Sequence, residues 1–132
     1  MNKKEAKQNY KLNPPAMGVF QIRNLADGKV CVGSSMNLKG IFNRYEFALN
    51  AGGHPNKSLQ KDWNESGAEN FAFEILEELP PRENPGYDYK PDLEVLEDLW
   101  LEKLEPYDDK GYNERKKTFE QRLQMIRDNR KL

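Results

Sequence analysis

The segment Gly18–Ser35, GVFQIRNLADGKVCVGSS, predicts the fold more clearly than any other part of the chain. Its first half alternates, its second half is β-rich, and the dipeptide Asp-Gly at positions 27 and 28 favours a tight turn between them. These features predict a hairpin of two antiparallel strands. If the Asp-Gly pair is the centre of the turn, Asn24 lies opposite Cys31, and Phe20 shares a face of the sheet with Cys31.

The length and composition indicate one globular domain with a modest core. The chain has 132 residues, of which 33% are charged and 36% hydrophobic, and a chain of this size buries roughly two-thirds of its unfolded surface. Its apolar runs are far shorter than the ~20 residues of a membrane span, so we expect no membrane segment. No secretory signal is evident and one cysteine cannot form an internal disulfide. We therefore expect a cytoplasmic location.

The net charge of −1 conceals a strong asymmetry along the chain. Residues 69–111 carry 14 acidic and 4 basic side chains, whereas residues 1–12 and 112–132 are basic. Separated basic segments leave room for a local surface that binds phosphate. The alternative is a solvated surface whose charges cluster without function.

The order of predicted elements indicates a small α+β domain. We predict a basic N-terminal arm over residues 1–16, a domain over residues 17–113 and a basic C-terminal helix over residues 114–132. Within the domain, the pattern predicts a three-stranded antiparallel sheet packed with helices in the order β-β-α-α-β-α, because a short sheet needs helices on its face for stability. The exposed loop over residues 81–92 is rich in proline.

Capping residues and apolar spacing define the predicted elements. Asn37 begins the first helix, which Gly52-Gly53 ends, and a second helix ends at Gly67. The third strand alternates, with Phe71, Phe73 and Ile75 on its buried face. Asp92 is expected to cap the next helix. The apolar stripe of that helix comprises Leu93, Leu96, Leu99, Trp100 and Leu104, and the terminal helix carries Phe119, Leu123 and Ile126.

Two short motifs in the hairpin resemble those of the GIY-YIG nuclease domain family. Gly18-Val19-Phe20 stands where the family has GIY, and Cys31-Val32-Gly33 follows ten residues later in place of YIG. The resemblance covers roughly residues 17–113. It also includes Asn37-Leu38-Lys39, His54, Asn56, Leu59-Gln60, Trp63, Gly67, Asn70-Phe71 and the segment Phe73-Glu74-Ile75-Leu76. It implies the same β-β-α-α-β-α topology.

The resemblance also implies a reaction and a set of site residues. Members of the family cut phosphodiester bonds of DNA with one divalent metal ion, usually Mg²⁺ or Mn²⁺. Glu97 matches the glutamate that holds the metal, and Asn113 matches the asparagine that supports the site. A bound metal lowers the pKa of water and neutralises charge on the phosphate, and a guanidinium grips phosphate oxygens. Asn113 could also cap the terminal helix.

Three positions depart from the family pattern. Phe20 and Cys31 replace the two motif tyrosines, so neither offers a phenol for proton transfer. We expect Cys31 to be a small buried core residue. The family arginine is missing where Ile41 stands, and Arg44, one turn further along, is the candidate replacement, although a surface arginine needs no site to explain it. Tyr45 keeps a hydroxyl but also fits the apolar stripe of its helix.

Three functions are compatible with these residues. In the first, the chain is a metal-dependent endonuclease in which Glu97 holds the metal and Arg44 and Lys39 contact phosphate. In the second, it is a nuclease-derived module without catalysis that binds nucleic acid or a protein. The third is a small interaction domain with no nucleic-acid role. No nucleotide-binding glycine motif is present, so we expect no small-molecule cofactor. His54 is expected to have a capping or surface role rather than to bind metal.

Overall fold

The computed structural model describes residues 15–130, and their order of elements is the predicted one. The predicted arm over residues 1–16 lies outside the described residues except for its last two positions. The strands are β1 (Gly18–Asn24), β2 (Val30–Ser35) and β3 (Phe71–Glu78). The helices are α1 (Leu38–Ala51), α2 (Lys57–Ser66), α3 (Lys90–Leu104) and α4 (Phe119–Arg130), with short 3-10 turns at Ala68–Asn70 and Asp108–Lys110.

The three strands form one antiparallel sheet in the order β2-β1-β3, which confirms the predicted α+β class. The central strand β1 buries Ile22 on the face covered by α1 and α2, where it meets Leu49 and Trp63. It buries Val19 on the opposite face, where α3 contributes Leu101. The sheet is therefore covered on both faces, and its outer strands are β2 and β3.

The predicted register of the hairpin is wrong by two residues. Ile22, not Asn24, lies opposite Cys31. The connection is longer than a two-residue turn, because Asn24 pairs with Lys29 through a backbone hydrogen bond of 2.8 Å and its side chain accepts from the Ala26 N–H at 2.9 Å. A shift of two residues keeps every side chain on its face. Phe20 and Cys31 therefore share a face of the sheet, as predicted.

The predicted start of α1 and the predicted ends of α1 and α2 are confirmed, and α2 has the same kind of start. The Asn37 side chain accepts a hydrogen bond from the Gly40 N–H, and the Asn56 side chain accepts one from the Leu59 N–H. Both are the N-cap interaction that satisfies an otherwise unpaired backbone donor. Gly52 ends α1 in the left-handed conformation at φ 81°, which glycine adopts without steric cost.

The prediction that Ile75 is buried is wrong. Its side chain is 46% exposed, although it lies opposite Phe20 on β1. The aromatic contacts that α1 and α2 make with β3 reach Phe71 and Phe73 and not this position. Between Ile75 and the next paired residue, β3 carries one extra residue relative to β1, a bulge that interrupts strict alternation.

The predicted cap and part of the predicted stripe of α3 are also wrong. Helix α3 begins at Lys90 without a side-chain cap, and the Asp92 carboxylate instead accepts a hydrogen bond from the Tyr87 hydroxyl at 2.9 Å. Leu99 is 42% exposed, whereas Leu101, which the stripe omitted, is buried against β1 and β2. Pro91 in the first turn favours the earlier helix start, because its fixed φ suits that position.

The terminal helix α4 exists, but it begins five residues later than predicted and its apolar residues are not buried. Phe119 is 71% exposed and Ile126 is 51% exposed, and no residue of α4 is buried. Its periodic apolar spacing therefore forms a helical face without contributing to the core of residues 15–130.

Candidate functional site

The outer edge of β2 is completed by the segment that follows α3. The Asn113 side chain makes two hydrogen bonds of 2.8 Å to the Val32 backbone, accepting from its N–H and donating to its C=O. The adjacent Tyr112 N–H donates to the Val30 C=O at 2.9 Å. Asn113 thus pairs with β2 as a neighbouring strand would. It does not cap α4, which begins at Phe119.

A cleft of ≈ 400 Å³ opens beside this edge and brings together four of the predicted site residues. Its walls include Cys31, Arg44, Tyr45 and Asn113, with His54 at the same cleft. Arg44 is exposed, and its guanidinium makes no ion pair within residues 15–130. The cleft therefore offers a cation, a phenol and an amide within one concave surface, which the carboxylate residue Glu114 also lines.

Phe20 lies beneath this cleft and is almost fully buried. It is 1% exposed, and its ring meets the Tyr45 ring edge-on with centroids 5.6 Å apart. Gly33 is required opposite it, because a Cβ added there would lie 2.8 Å from the Phe20 Cζ. The first motif position thus supplies packing for Tyr45, and it has no group that can transfer a proton.

Cys31 is the small buried residue that the sequence predicted. It is 7% exposed and belongs to the apolar cluster around Ile22. Burial raises the pKa of its thiol to about 11. The thiol is therefore protonated at neutral pH, where only a thiolate would be a strong nucleophile or base.

Tyr45 is the phenol that reaches the cleft from α1. Burial raises its pKa, Cys31 and Glu97 raise it further, and Arg44 lowers it. The same α1 turn leaves Ile41 partly buried, so the position expected for the family arginine carries no charge. Lys39, at the start of α1, is exposed and is not among the residues lining the cleft.

Glu97 approaches β2 from α3 and is only partly exposed. Burial raises the pKa of its carboxyl group, Lys116 lowers it, Asp98 raises it, and the side chain and backbone of Ser34 lower it. Lys116 is itself ion-paired with Asp98, and Glu97 belongs to none of the ion pairs within residues 15–130. Glu97 is not among the residues that line the cleft, although its negative charge is one of the causes that raise the pKa of Tyr45.

The single carboxylate of Glu97 could serve as a ligand for some divalent metal ions and not for others. Within residues 15–130, no group of three or more His, Cys, Asp or Glu side chains could enclose a metal. Mg²⁺ commonly uses one or two carboxylates, several waters and the phosphate oxygens of a substrate. A half-buried carboxylate with no direct ion pair among the described residues therefore fits Mg²⁺ or Mn²⁺, and it does not fit a caged structural ion.

His54 is the residue of the site whose position the sequence did not predict. It is 9% exposed and not on the surface, and its ring lies edge-on to Tyr45 with centroids 4.5 Å apart. Its Nδ1 accepts a hydrogen bond from the Asn56 N–H at 3.0 Å, while its Nε2 has no partner within residues 15–130. Burial lowers its pKa, so the ring is neutral at pH 7. The sequence signal available for this position was its place in the turn two residues before Asn56, the N-cap of α2.

No helix within residues 15–130 is long and apolar enough to cross a membrane.

Comparisons with known proteins connect this geometry to a nuclease family, although no family model matches the chain. Over 103 residues, or 77% of its length, the chain is 33% identical to Intron-associated endonuclease 1 of Enterobacteria phage T4. The match covers 38% of that protein, so the chain spans well under half of the relative.

Two solved structures are similar over nearly their full lengths. The catalytic domain of the homing endonuclease I-TevI superposes with a TM-score of 0.63 at 30% identity, covering 76% of this chain and 99% of that domain. A glutamate-to-alanine mutant of the same catalytic domain gives a TM-score of 0.63 and 30% identity, covering 79% and 98%. Because these are GIY-YIG catalytic domains and the chain covers almost all of each, the chain belongs to the GIY-YIG nuclease family.

Proposed function

We propose that this chain is a GIY-YIG-type endonuclease domain that hydrolyses phosphodiester bonds of DNA with a divalent cation at Glu97. The single observation that best supports it is the cleft beside β2, which brings together Arg44, Tyr45 and Asn113. The similarity to Intron-associated endonuclease 1 supports the same class of reaction.

Glu97 would hold Mg²⁺ or Mn²⁺ through its half-buried carboxylate. When bound, such an ion lowers the pKa of water and neutralises charge that develops on the phosphate. The supporting observation is electrostatic: burial raises the pKa of Glu97, so a positive charge beside the carboxylate would be favoured. Lys116 does not fill that role by direct pairing, because its ammonium group is paired with Asp98.

Arg44 is the residue best suited to hold the scissile phosphate. Its guanidinium lines the cleft and has no carboxylate partner within residues 15–130, and guanidinium groups bind phosphate oxygens through two parallel hydrogen bonds. Lys39 lies near the start of the same helix and would contact a phosphate further along the backbone.

Tyr45 would take over the proton transfer that Phe20 and Cys31 cannot perform. Its hydroxyl is the one phenol among the residues that line the cleft, and Arg44 favours its ionised form. Burial and the negative charge of Glu97 oppose ionisation. We therefore expect a slower enzyme than one with both motif tyrosines, since a well-placed acid or base contributes roughly 10²- to 10⁴-fold.

The proposal is tested with supercoiled plasmid DNA and Mg²⁺ or Mn²⁺. The chain should nick the plasmid, chelation of the cation should stop the reaction, and Glu97→Ala should abolish it. Glu94→Ala is the matched control, because Glu94 lies one turn earlier on α3 and is exposed. Nicking that persists unchanged in Glu97→Ala would overturn the assignment of the metal site.

The second candidate is a nuclease-derived module that binds DNA or a protein without cutting. The observation that favours it is the replacement of both motif tyrosines by Phe20 and Cys31, together with Ile41 where an arginine is expected. Under this alternative, no nicking occurs in either metal. DNA binding would still weaken as salt rises, because phosphate contacts release counterions, and a flat response to salt would leave a protein partner as the remaining ligand.

A further inference from the structure

A single aromatic ring projects from the outer face of α1. Phe47 is 76% exposed, the highest fraction among the large apolar side chains of residues 15–130. With about 100° between successive residues of a helix, it points away from the buried Leu38 and Leu49. Gly40 and Ala51 lie close to its direction on the helix and are too small to cover the ring.

This ring stands at the rim of the cleft proposed to bind the scissile phosphate. Arg44 is three residues before Phe47 and Ala48 follows it, and both line the cleft. Residues three apart on a helix are neighbours on its surface. The outer face of α1 is therefore continuous with one wall of the cleft.

The remaining side chains on this face suit a nucleic acid. Lys39 and Asn43 are exposed on the flank opposite Arg44, and they offer a cation and an amide that can contact phosphates or base edges. Glu46 is the one acidic residue of α1 and lies on the Lys39 flank, away from the cleft. A basic pair around a projecting aromatic ring complements the charge of DNA.

We propose that Phe47 stacks on a base beside the scissile phosphate, so that the domain prefers DNA with an unpaired or unstacked step at the cut site. This inference rests on the proposed function. A phosphate held by Arg44 in the cleft requires the DNA to cross the rim, where Phe47 meets the bases next to that phosphate.

The physics of such a contact favours distorted DNA. Apolar side chains that enter a base step must first unstack it, and this costs least where the bases are mismatched or flexible. Stacking between a base and an aromatic ring then recovers free energy without regard to sequence. The resulting preference concerns DNA structure and not a particular base.

The test compares two labelled duplexes of the same length, one fully paired and one with a central mismatched bubble, by fluorescence anisotropy. The Glu97→Ala chain is used so that the DNA stays intact. We expect it to bind the bubble about tenfold or more tightly than the paired duplex, the order that one stacked base provides. Adding Phe47→Ala should remove most of that preference, and Phe47→Trp should retain it.

Val95→Ala provides the control, because Val95 is 70% exposed on α3 and outside the cleft. The inference is overturned if Phe47→Ala behaves like Val95→Ala, if it weakens both duplexes equally, or if neither duplex binds. Plasmid nicking by the unmodified chain separates the two proposals. A chain that does not nick but keeps a bubble preference dependent on Phe47 would refute catalysis alone.

Discussion

At the scale of single residues, the candidate chemistry depends on which side chain carries a hydroxyl group. Phe20 and Tyr45 are in edge-on contact, so the ring at the first motif position supports the phenol that lines the cleft. Among residues 15–130, the Tyr45 hydroxyl has no hydrogen-bond partner. Its neighbour His54 donates its backbone N–H to the Gln60 side chain and accepts from the Asn56 N–H through Nδ1. The hydroxyl can therefore act on a ligand.

Tyr45→Phe therefore separates chemistry from packing. The substitution keeps the ring and its contacts with Phe20 and His54, so we expect an unchanged melting temperature. Plasmid nicking should fall by roughly 10²-fold or more, because the proton-transfer group is removed. Nicking rates and thermal unfolding measured on the same preparations check both parts.

Tyr107→Phe is the appropriate comparison for this variant, since Tyr107 is partly buried but lies outside the cleft. Equal nicking by Tyr45→Phe and Tyr107→Phe would show that catalysis, if present, uses another group.

At the scale of elements, the edge of β2 depends on one side chain from outside the sheet. Asn113 supplies both hydrogen bonds to the Val32 backbone, and Val32 belongs to the same strand as Cys31. The side chain therefore couples the segment after α3 to the wall of the cleft. Asn56 strengthens this connection by donating to the Tyr112 C=O at 2.8 Å.

Asn113→Ala should expose the Val32 N–H and C=O and destabilise the chain by about 1–3 kcal/mol, the usual cost of leaving partly buried polar groups unpaired. Amide hydrogen exchange provides the local measurement, and Val32 should lose protection before the residues of β1 do. Asn43→Ala, on the exposed face of α1, serves as the control. Unchanged protection at Val32 would contradict the role of Asn113 as an edge partner.

The sequence was sufficient for elements whose signals are local. Asn37 was predictable as the start of α1 because a cap needs only a side-chain oxygen and the following N–H groups. The hairpin register was not predictable in this way, because the Asn24 and Asp27 side chains both bind backbone N–H groups of the loop and so stabilise a connection longer than a two-residue turn. Periodicity also failed at Leu99, where burial depends on how α3 lies across the sheet.

The candidate site was only partly predictable for the same reason. The family resemblance and helical spacing predicted Glu97, Arg44, Tyr45 and Asn113 as site residues, and the structure brings the last three to one cleft. The burial of His54 could not be predicted from a lone histidine before a proline, because it arises when the loop after α1 folds back so that the ring packs against Tyr45 of that helix. Such a contact depends on the path of the loop and leaves no periodic signal.

At the scale of the whole molecule, the apolar core and the basic C-terminal segment occupy different parts of the chain. The two apolar clusters lie within residues 19–112, while α4 buries no residue. The segment after Asn113 contacts the domain through ion pairs such as Lys116 with Asp98 and Arg115 with Asp108, and all four side chains are more than half exposed. Exposed pairs of this kind contribute little to stability.

A chain that ends at Glu114 should therefore keep its fold and bind DNA more weakly. We propose residues 17–113 as the folding unit, so the truncation should change the free energy of unfolding by no more than about 1–2 kcal/mol.

Residues 115–132 contain seven basic and two acidic side chains. If these basic groups bind phosphates, the plot of log affinity against log salt should become less steep by about one for each phosphate that the truncated chain no longer neutralises. Chemical denaturation and salt titrations of DNA binding measure the two effects separately. Absence of a cooperative unfolding transition would contradict the domain boundary, whereas an unchanged salt slope would assign phosphate binding to Arg44, Lys39 and the cleft alone.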